Sequence, residues 1–280
     1  MPNFNFAQIY ADTILPQHAA DYLSLIQISD LHLLTDPTAA FSGVYPGKHL
    51  AAVLAALSQT GYDALLATGD LWQEPSTANF DALFAQFDTL GRPWAAIAGN
   101  HDVTLELDTH LAFEQWRRVP IGADTRLLSR RLVQSAYWDL LFIDTSVAGQ
   151  TAGAVDDATL AWLADILPQS TRPCVIFAHH PMLAVGTPWI DRQGVQNAEQ
   201  FWQVVAPFAQ RIRAVFVGHV HQAQQVSAHG IAMYSCPATS IQFTPFTADY
   251  AVQITAPQYR WIKLLNTGTL ATGTKKVVVG

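Results

Sequence analysis

Cysteine is nearly missing from this chain: Cys174 and Cys236 are its two thiols in 280 residues. Two cysteines make no disulfide framework, and a chain this long needs none, since folding removes roughly 75% of its unfolded surface from water. Charge is scarce too, at 13% of residues, and basic charge is the scarcer sign, with 15 Lys and Arg against 22 Asp and Glu. A net charge of −7 argues against sequence-independent grip on nucleic acid or anionic membrane, and so against a DNA-processing nuclease. The one basic cluster, Arg117, Arg118, Arg126, Arg130 and Arg131, reads as a solvated surface stretch. No Lys or Arg precedes Lys48, so the basic region of an ordinary signal peptide is missing. The longest apolar runs, such as Leu50 to Leu57, fall far short of the about 20 residues of a membrane span. A soluble, cytoplasmic protein is expected. Nor does any repeat, low-complexity block or Pro/Gly-rich linker divide the chain, so one domain over 1–280 is expected, with its core at about 23–265. What the chain has in quantity is apolar mass, 50% hydrophobic and 11% aromatic, which excludes intrinsic disorder.

Short apolar runs that end in a polar residue recur along the sequence. They are Leu25 to Asp30, Ala64 to Asp70, Trp94 to His101, Leu140 to Asp144, Cys174 to His179 and Ala214 to His219. Runs of this length without polar alternation suit strands buried on both faces. Helical patterns alternate with them at Lys48–Gln59, Thr77–Leu90, Asp157–Leu167 and Asn197–Gln210. Phe80, Leu83, Phe84 and Phe87 form an apolar stripe in the second. Strands alternating with helices predict a layered α/β core. After His221 the texture turns hairpin-like, at Ile231–Ser235, Tyr250–Ile254 and Tyr259–Leu265, and predicts a second, largely antiparallel sheet with helices outside both.

In open α/β sheets ligands bind beyond the carboxyl ends of the strands. Those ends here carry Asp30 and His32, Asp70, Asn100 and His101, His179 and His180, and His219 and His221, six of the ten histidines among them. A lone histidine at a strand end is ordinarily structural. Five loaded ends are another matter, because so many titratable groups cannot be buried together without a partner. Metal ions supply one. Oxygen and nitrogen donors without thiolate suit Mn, Fe, Zn or Co, and seven good donors exceed what one ion needs. The i, i+2 steps Asp30-Leu31-His32 and His219-Val220-His221 would point both side chains to one side of an extended backbone.

Taken together, Asp30-Leu31-His32, Gly69-Asp70, Gly99-Asn100-His101-Asp102, His179-His180-Pro181 and Gly218-His219-Val220-His221 resemble the five motifs of calcineurin-like metallophosphoesterases, in order. Trp189-Ile190-Asp191, Asn197-Ala198-Glu199 and Ala256-Pro257 are similar to the bacterial class III phosphodiesterases that hydrolyse 3′,5′-cyclic AMP. The resemblance implies a four-layer αββα sandwich of two mixed sheets. It implies two metal ions, Fe or Mn foremost, with Asp30, His32 and His221 on one, Asn100, His179 and His219 on the other, and Asp70 bridging. His180 stands as the alternative to His179. His101 matches the family's catalytic histidine that binds no metal, and His32, Asn100 and His221 also face the substrate phosphate. In one respect the chain departs from many relatives: Gln73, followed by Glu74, stands where they carry an acid, which leaves Glu74 or Asp102 to orient His101.

The implied reaction is in-line attack on a cyclic nucleotide by hydroxide bridging two ions about 3.5–4 Å apart, with His101 protonating the departing 3′ oxygen. The loop from Pro181 to Asn197 and the segment from Phe243 to Tyr250 are the candidates to hold the base, with Trp189, Phe243 and Phe246 placed to stack on it. Asn197 is a candidate hydrogen-bonding residue and, first, an N-cap. The expected partner is a small cyclic nucleotide, with no nucleic acid or membrane, for a monomer or homodimer. Two other readings stand beside it. One is a phosphodiesterase or phosphomonoesterase of the same superfamily acting on glycerophosphodiesters or 2′,3′-cyclic nucleotides. The other is a metal-free binding scaffold.

Overall fold

The computed structural model describes residues 17, 19–103 and 130–279. The side chains of Arg117, Arg118, Arg126, Arg130 and Arg131 lie outside the described residues. In chain order the strands are β1 (Tyr22–Ile28), β2 (Ala64–Thr68), β3 (Trp94–Ile97), β4 (Arg130–Gln134), β5 (Asp139–Ile143), β6 (Cys174–Phe177) and β7 (Ile212–Val217). There follow β8 (Gln225–Ala228), β9 (Ile231–Ser235), β10 (Gln242–Phe243), β11 (Val252–Gln253), β12 (Gln258–Leu265) and β13 (Leu270–Lys276). The helices are α1 (Pro46–Ser58), α2 (Thr77–Asp88), α3 (Asp157–Ile166), α4 (Pro188–Asp191) and α5 (Ala198–Val205). Ser76 and Asp156 cap α2 and α3 by accepting the amides of Asn79 and Thr159. The fourth expected helix stops at Val205 and continues as a 3-10 turn, because Pro207 has no amide to extend the α ladder.

The six apolar runs divide evenly between two mixed sheets, ordered β13-β12-β1-β2-β3 and β4-β5-β6-β7-β9-β8. Here the late strands depart from expectation. Beyond the two-stranded β10-β11 ribbon they build no separate antiparallel sheet. β9 lies parallel beside β7, while β12 pairs antiparallel with β1, Tyr22 opposite Leu265, and so covers an edge that β1 would otherwise leave open. Tyr250–Ile254 contributes only the two-residue β11 against β10.

Alternate residues of both sheets, among them Leu25, Leu66, Phe142, Phe177, Phe216 and Ile262, meet in the layer between them. Phe142, Phe177, Phe216 and Tyr234 stack in sequence across β5, β6, β7 and β9, with ring centroids 5.1 to 5.4 Å apart. The outer face of one sheet buries Leu50, Val53 and Leu57 of α1 and the phenylalanine stripe of α2. The other sheet takes Leu163 and Ile166 of α3 and Phe201, Trp202 and Val205 of α5. Helix, sheet, sheet and helix give four layers. No helix among the described residues is long and apolar enough to cross a membrane.

Candidate metal centre

Asp30, Asp70, Asn100, His179 and His219 follow directly on β1, β2, β3, β6 and β7, so parallel strands deliver donors from both sheets to one edge. The backbone that carries them is not extended. Asp30, His32, Asp70, His219 and His221 all adopt the left-handed conformation, with φ of 54°, 45°, 52°, 62° and 50°. In Asp30-Leu31-His32 and His219-Val220-His221 it is two left-handed residues around a buried apolar one, rather than a strand pleat, that brings both side chains together. Such residues cost on the order of 1–3 kcal/mol each and need fixing from outside. The amides of Asp30 and His32 donate to the carbonyls of Gly69 and Asp70 at 3.0 Å. That of His219 donates to both Asp30 oxygens, at 3.0 and 3.1 Å, and that of His101 to Asp70 Oδ1 at 2.9 Å. Gly99 has no room for a side chain, since a Cβ there would run into Asp70 Oδ1.

Two donor groups result. Asp30, His32, Asp70 and His221 place one ligand atom each within 4.8 Å of one another, and so do His179, His180 and His219. Asp70 lies between the groups, with Oδ1 3.4 Å from His179 Nε2 and Oδ2 3.7 Å from His32 Nε2. His179 and His221 donate from Nδ1 to the carbonyls of Thr68 and Ile241 at 2.7 and 2.8 Å, which turns each Nε2 lone pair toward the cluster. Behind His180 the Thr145 hydroxyl meets Nδ1 at 2.8 Å. The Gln73 amide nitrogen stands at the same distance from His32 Nδ1, and a flip of that amide would let its oxygen accept there and leave Nε2 for a cation.

The donors fit cations on the structure's own terms. His179 Nε2, His180 Nε2, His219 Nε2 and Asn100 Oδ1 are buried without a hydrogen-bond partner, and buried polar atoms rarely stay so. Nε2 of His32 and Nε2 of His221 approach to 3.1 Å. Burial works against both carboxylates, but His221 and His179 hold Asp30 below its usual range, and His179 and His101 hold Asp70 well below it. Burial pushes His32 and His180 down to about 3 and His219 well down. In His179 burial pulls the imidazole down, but the Asp70 charge and contact, the Asp30 charge and the Thr68 carbonyl together raise it to about 9. Anionic carboxylates facing the neutral imidazoles of His32, His180 and His219 suit a cation, whose binding would displace the proton that Asp70 holds on His179.

Asp102, expected beside His101, does something else. Its buried carboxylate accepts the amides of Leu71 (2.9 Å), Trp72 (3.2 Å) and Gly99 (2.9 Å), tying the turn after β2 to the turn after β3. Burial and the Asp70 charge push it up to about 7. Glu74 accepts the Thr35 amide at the surface. The His101 ring packs edge-on against His32, centroids 4.9 Å apart.

A cavity of about 240 Å³ opens beside the donors, lined by His32, Asp70, Asn100, His101, His219 and His221 on one side. Trp189 and Phe243 line the other side with Gln193 and Tyr250, which lie in the two segments expected to hold the base, and with Phe41, which the sequence did not single out. One face of Phe243 is covered by His221, 3.9 Å away and 11° from parallel. Two candidates lie elsewhere. Phe246 is 71% exposed and does not line the cavity. Asn197 occupies the N-cap position of α5, but its amide is committed to the Val155 amide (2.9 Å) and carbonyl (2.7 Å), and it does not line the cavity.

Two carboxylates, an asparagine and a ring of imidazoles at the strand ends of an αββα sandwich define a metal-dependent hydrolase. The chain belongs to the calcineurin-like phosphoesterase family, whose profile matches residues 23–223. It is 36% identical over 263 residues to a "Probable cyclic nucleotide phosphodiesterase" of Psychrobacter arcticus, covering 91% of this chain and 94% of that one. To the "3′,5′-cyclic adenosine monophosphate phosphodiesterase CpdA" of Haemophilus influenzae it is 28% identical over 95% of this chain and 94% of the relative. The fold is shared with a dimetal phosphatase from Danio rerio, with a TM-score of 0.62 over 92% of this chain and 99% of the other at 12% identity.

Proposed function

We propose that this chain, acting as one domain over residues 1–280, hydrolyses 3′,5′-cyclic AMP to 5′-AMP at a two-metal centre. The observation that carries the reading is Asp70, a buried carboxylate with one oxygen toward each donor group. The choice of substrate rests on the relatives named as cyclic nucleotide and cyclic AMP phosphodiesterases. Asp30, His32 and His221 would hold one ion, Asn100, His179 and His219 the other, with Asp70 shared. His179 is preferred to His180 because it is the one that faces Asp70. Two ions in such a site polarise the phosphoryl group and supply a nucleophile from water near neutral pH, and Fe or Mn suits the donors.

The remaining work falls to this chain's own groups. The Asp70 carboxylate fixes His101 through its amide, which sets the imidazole at the cavity wall beside the donors. From there His101 protonates the 3′ oxygen as its bond to phosphorus breaks. Asn100, His32 and His221 border the space the phosphate takes. The working form is cytoplasmic, a monomer or homodimer. A turnover panel on Mn²⁺-loaded protein tests the reading: 3′,5′-cAMP, 2′,3′-cAMP, glycerophosphocholine and an aryl phosphomonoester. Highest kcat/KM on 3′,5′-cAMP is expected. A far higher value on 2′,3′-cAMP or glycerophosphocholine would reject the substrate and leave the metal chemistry standing.

A further inference from the structure

The cavity has a second wall that the hydrolysis of a phosphodiester does not need. Trp189 sits on the short α4, 8% exposed, edge-on to Phe243 (centroids 4.7 Å, 70°) and to Tyr250 (5.2 Å, 71°). The turn is held from behind, since the Asp191 carboxylate accepts the amides of Val185 (2.7 Å) and Gly186 (3.1 Å). Gln193 follows four residues after Trp189 and is half-buried in the same wall. Among the described residues no hydrogen bond engages its side-chain amide, whereas the other lining glutamine, Gln73, is bound to His32. Among the described residues, the cavity carries no charged side chain outside the donor side. A wall of aromatic rings with one free amide matches a flat, uncharged group that both donates and accepts.

We propose that Trp189, Tyr250 and Gln193 form the nucleobase subsite, the rings covering one side of the base and the Gln193 amide reading its edge. The inference rests on the cyclic nucleotide reading above. An amide offers a donor and an acceptor side by side, the complement of adenine N7 and N6–H. Guanine presents two acceptors at the same edge, so the subsite favours adenine. Base stacking on an aromatic side chain and paired hydrogen bonds to a base edge are each worth about a tenfold change in binding or more.

The test uses metal-loaded protein with Tyr250→Ala, Gln193→Ala and, as a control outside the cavity, Phe246→Ala. Tyr250 is 57% exposed, so its truncation leaves the core alone. Both cavity variants should raise KM for cAMP about tenfold with kcat held within about threefold, and Gln193→Ala should bring kcat/KM for cAMP and cGMP close together. Calorimetry should show 5′-AMP bound more tightly than inorganic phosphate by wild type, with that advantage shrinking in both variants. An unchanged KM for cAMP in both, or an equal loss in Phe246→Ala, would overturn the subsite. Wild type that binds 5′-AMP preferentially through these residues yet leaves cAMP intact would support the subsite and reject the activity. No preference for 5′-AMP over phosphate would reject the subsite whatever the activity.

Discussion

Asp102→Asn isolates the strut beneath the site. The wild-type carboxylate uses both oxygens, Oδ1 for the amides of Leu71 and Trp72 and Oδ2 for Gly99 at 2.9 Å. Asparagine keeps the shape but offers one oxygen, so its NH₂ group meets the Gly99 amide, donor against donor. A buried donor left without an acceptor costs about 1–3 kcal/mol, so Asp102→Asn should cost about 2 kcal/mol. Asp102→Ala strands all three amides and should cost about 4 kcal/mol or more. At roughly 2–4 °C per kcal/mol for a chain approaching this size, the amide variant should melt about 4–8 °C lower. Gly99 precedes Asn100 and His101, and Leu71 follows Asp70, so the same change loosens donors on both turns. Thermal unfolding of metal-free and metal-loaded protein reads both effects, with a larger drop expected in the loaded form. Tm values within about 1 °C of wild type in both forms would refute the strut.

Three further outcomes are expected. His101→Ala should keep its metals and lose about 10²–10⁴-fold in rate on cAMP, but much less on a nitrophenyl diester, whose leaving group needs no proton; equal losses would assign His101 to phosphate positioning. Arg211→Ala should cost about 3 kcal/mol in chemical denaturation, because it strands the fully buried Asp139 carboxylate now paired with Arg211 at 2.5 Å. Gln134 and Arg172 compensate only in part, at 3.0 and 3.6 Å, and a change under about 1 kcal/mol would show the pair to be dispensable. Burial pushes both Cys174 and Cys236 up to about 12, so at pH 8 the thiolate fraction is about one in ten thousand and alkylation should await unfolding; fast labelling of the native protein would contradict that burial.

The donors were legible because apolar runs end one after another in Asp, Asn or His, and a core that brings so many such groups together needs an ion. The sheet partition was not, since β9 and β12 find partners through pairings remote in sequence, Tyr22 with Leu265 for instance. Backbone handedness was hidden too: Asp and His enter the left-handed region more readily than most residues but without glycine's strong signal, and tertiary bonds to Gly69, Asp70 and Asp30 fix Asp30, His32 and His219 there. Gln73 ended on His32 because the turns after β1 and β2 pair with each other, the Gln73 backbone amide on the Leu33 carbonyl at 2.9 Å. Gln193 and Tyr250 fall in the two segments expected to hold the base, whereas Phe41 comes from a separate loop that only folding brings to the cavity.

The dinuclear claim meets its most direct test in elemental analysis of metal-reconstituted protein, wild type against Asp70→Asn. Wild type should approach two equivalents per chain. Because one Asp70 oxygen faces each donor group, the variant should lose occupancy at both sites together. A wild-type stoichiometry that stays at one, or a variant that still holds two, would contradict a shared carboxylate.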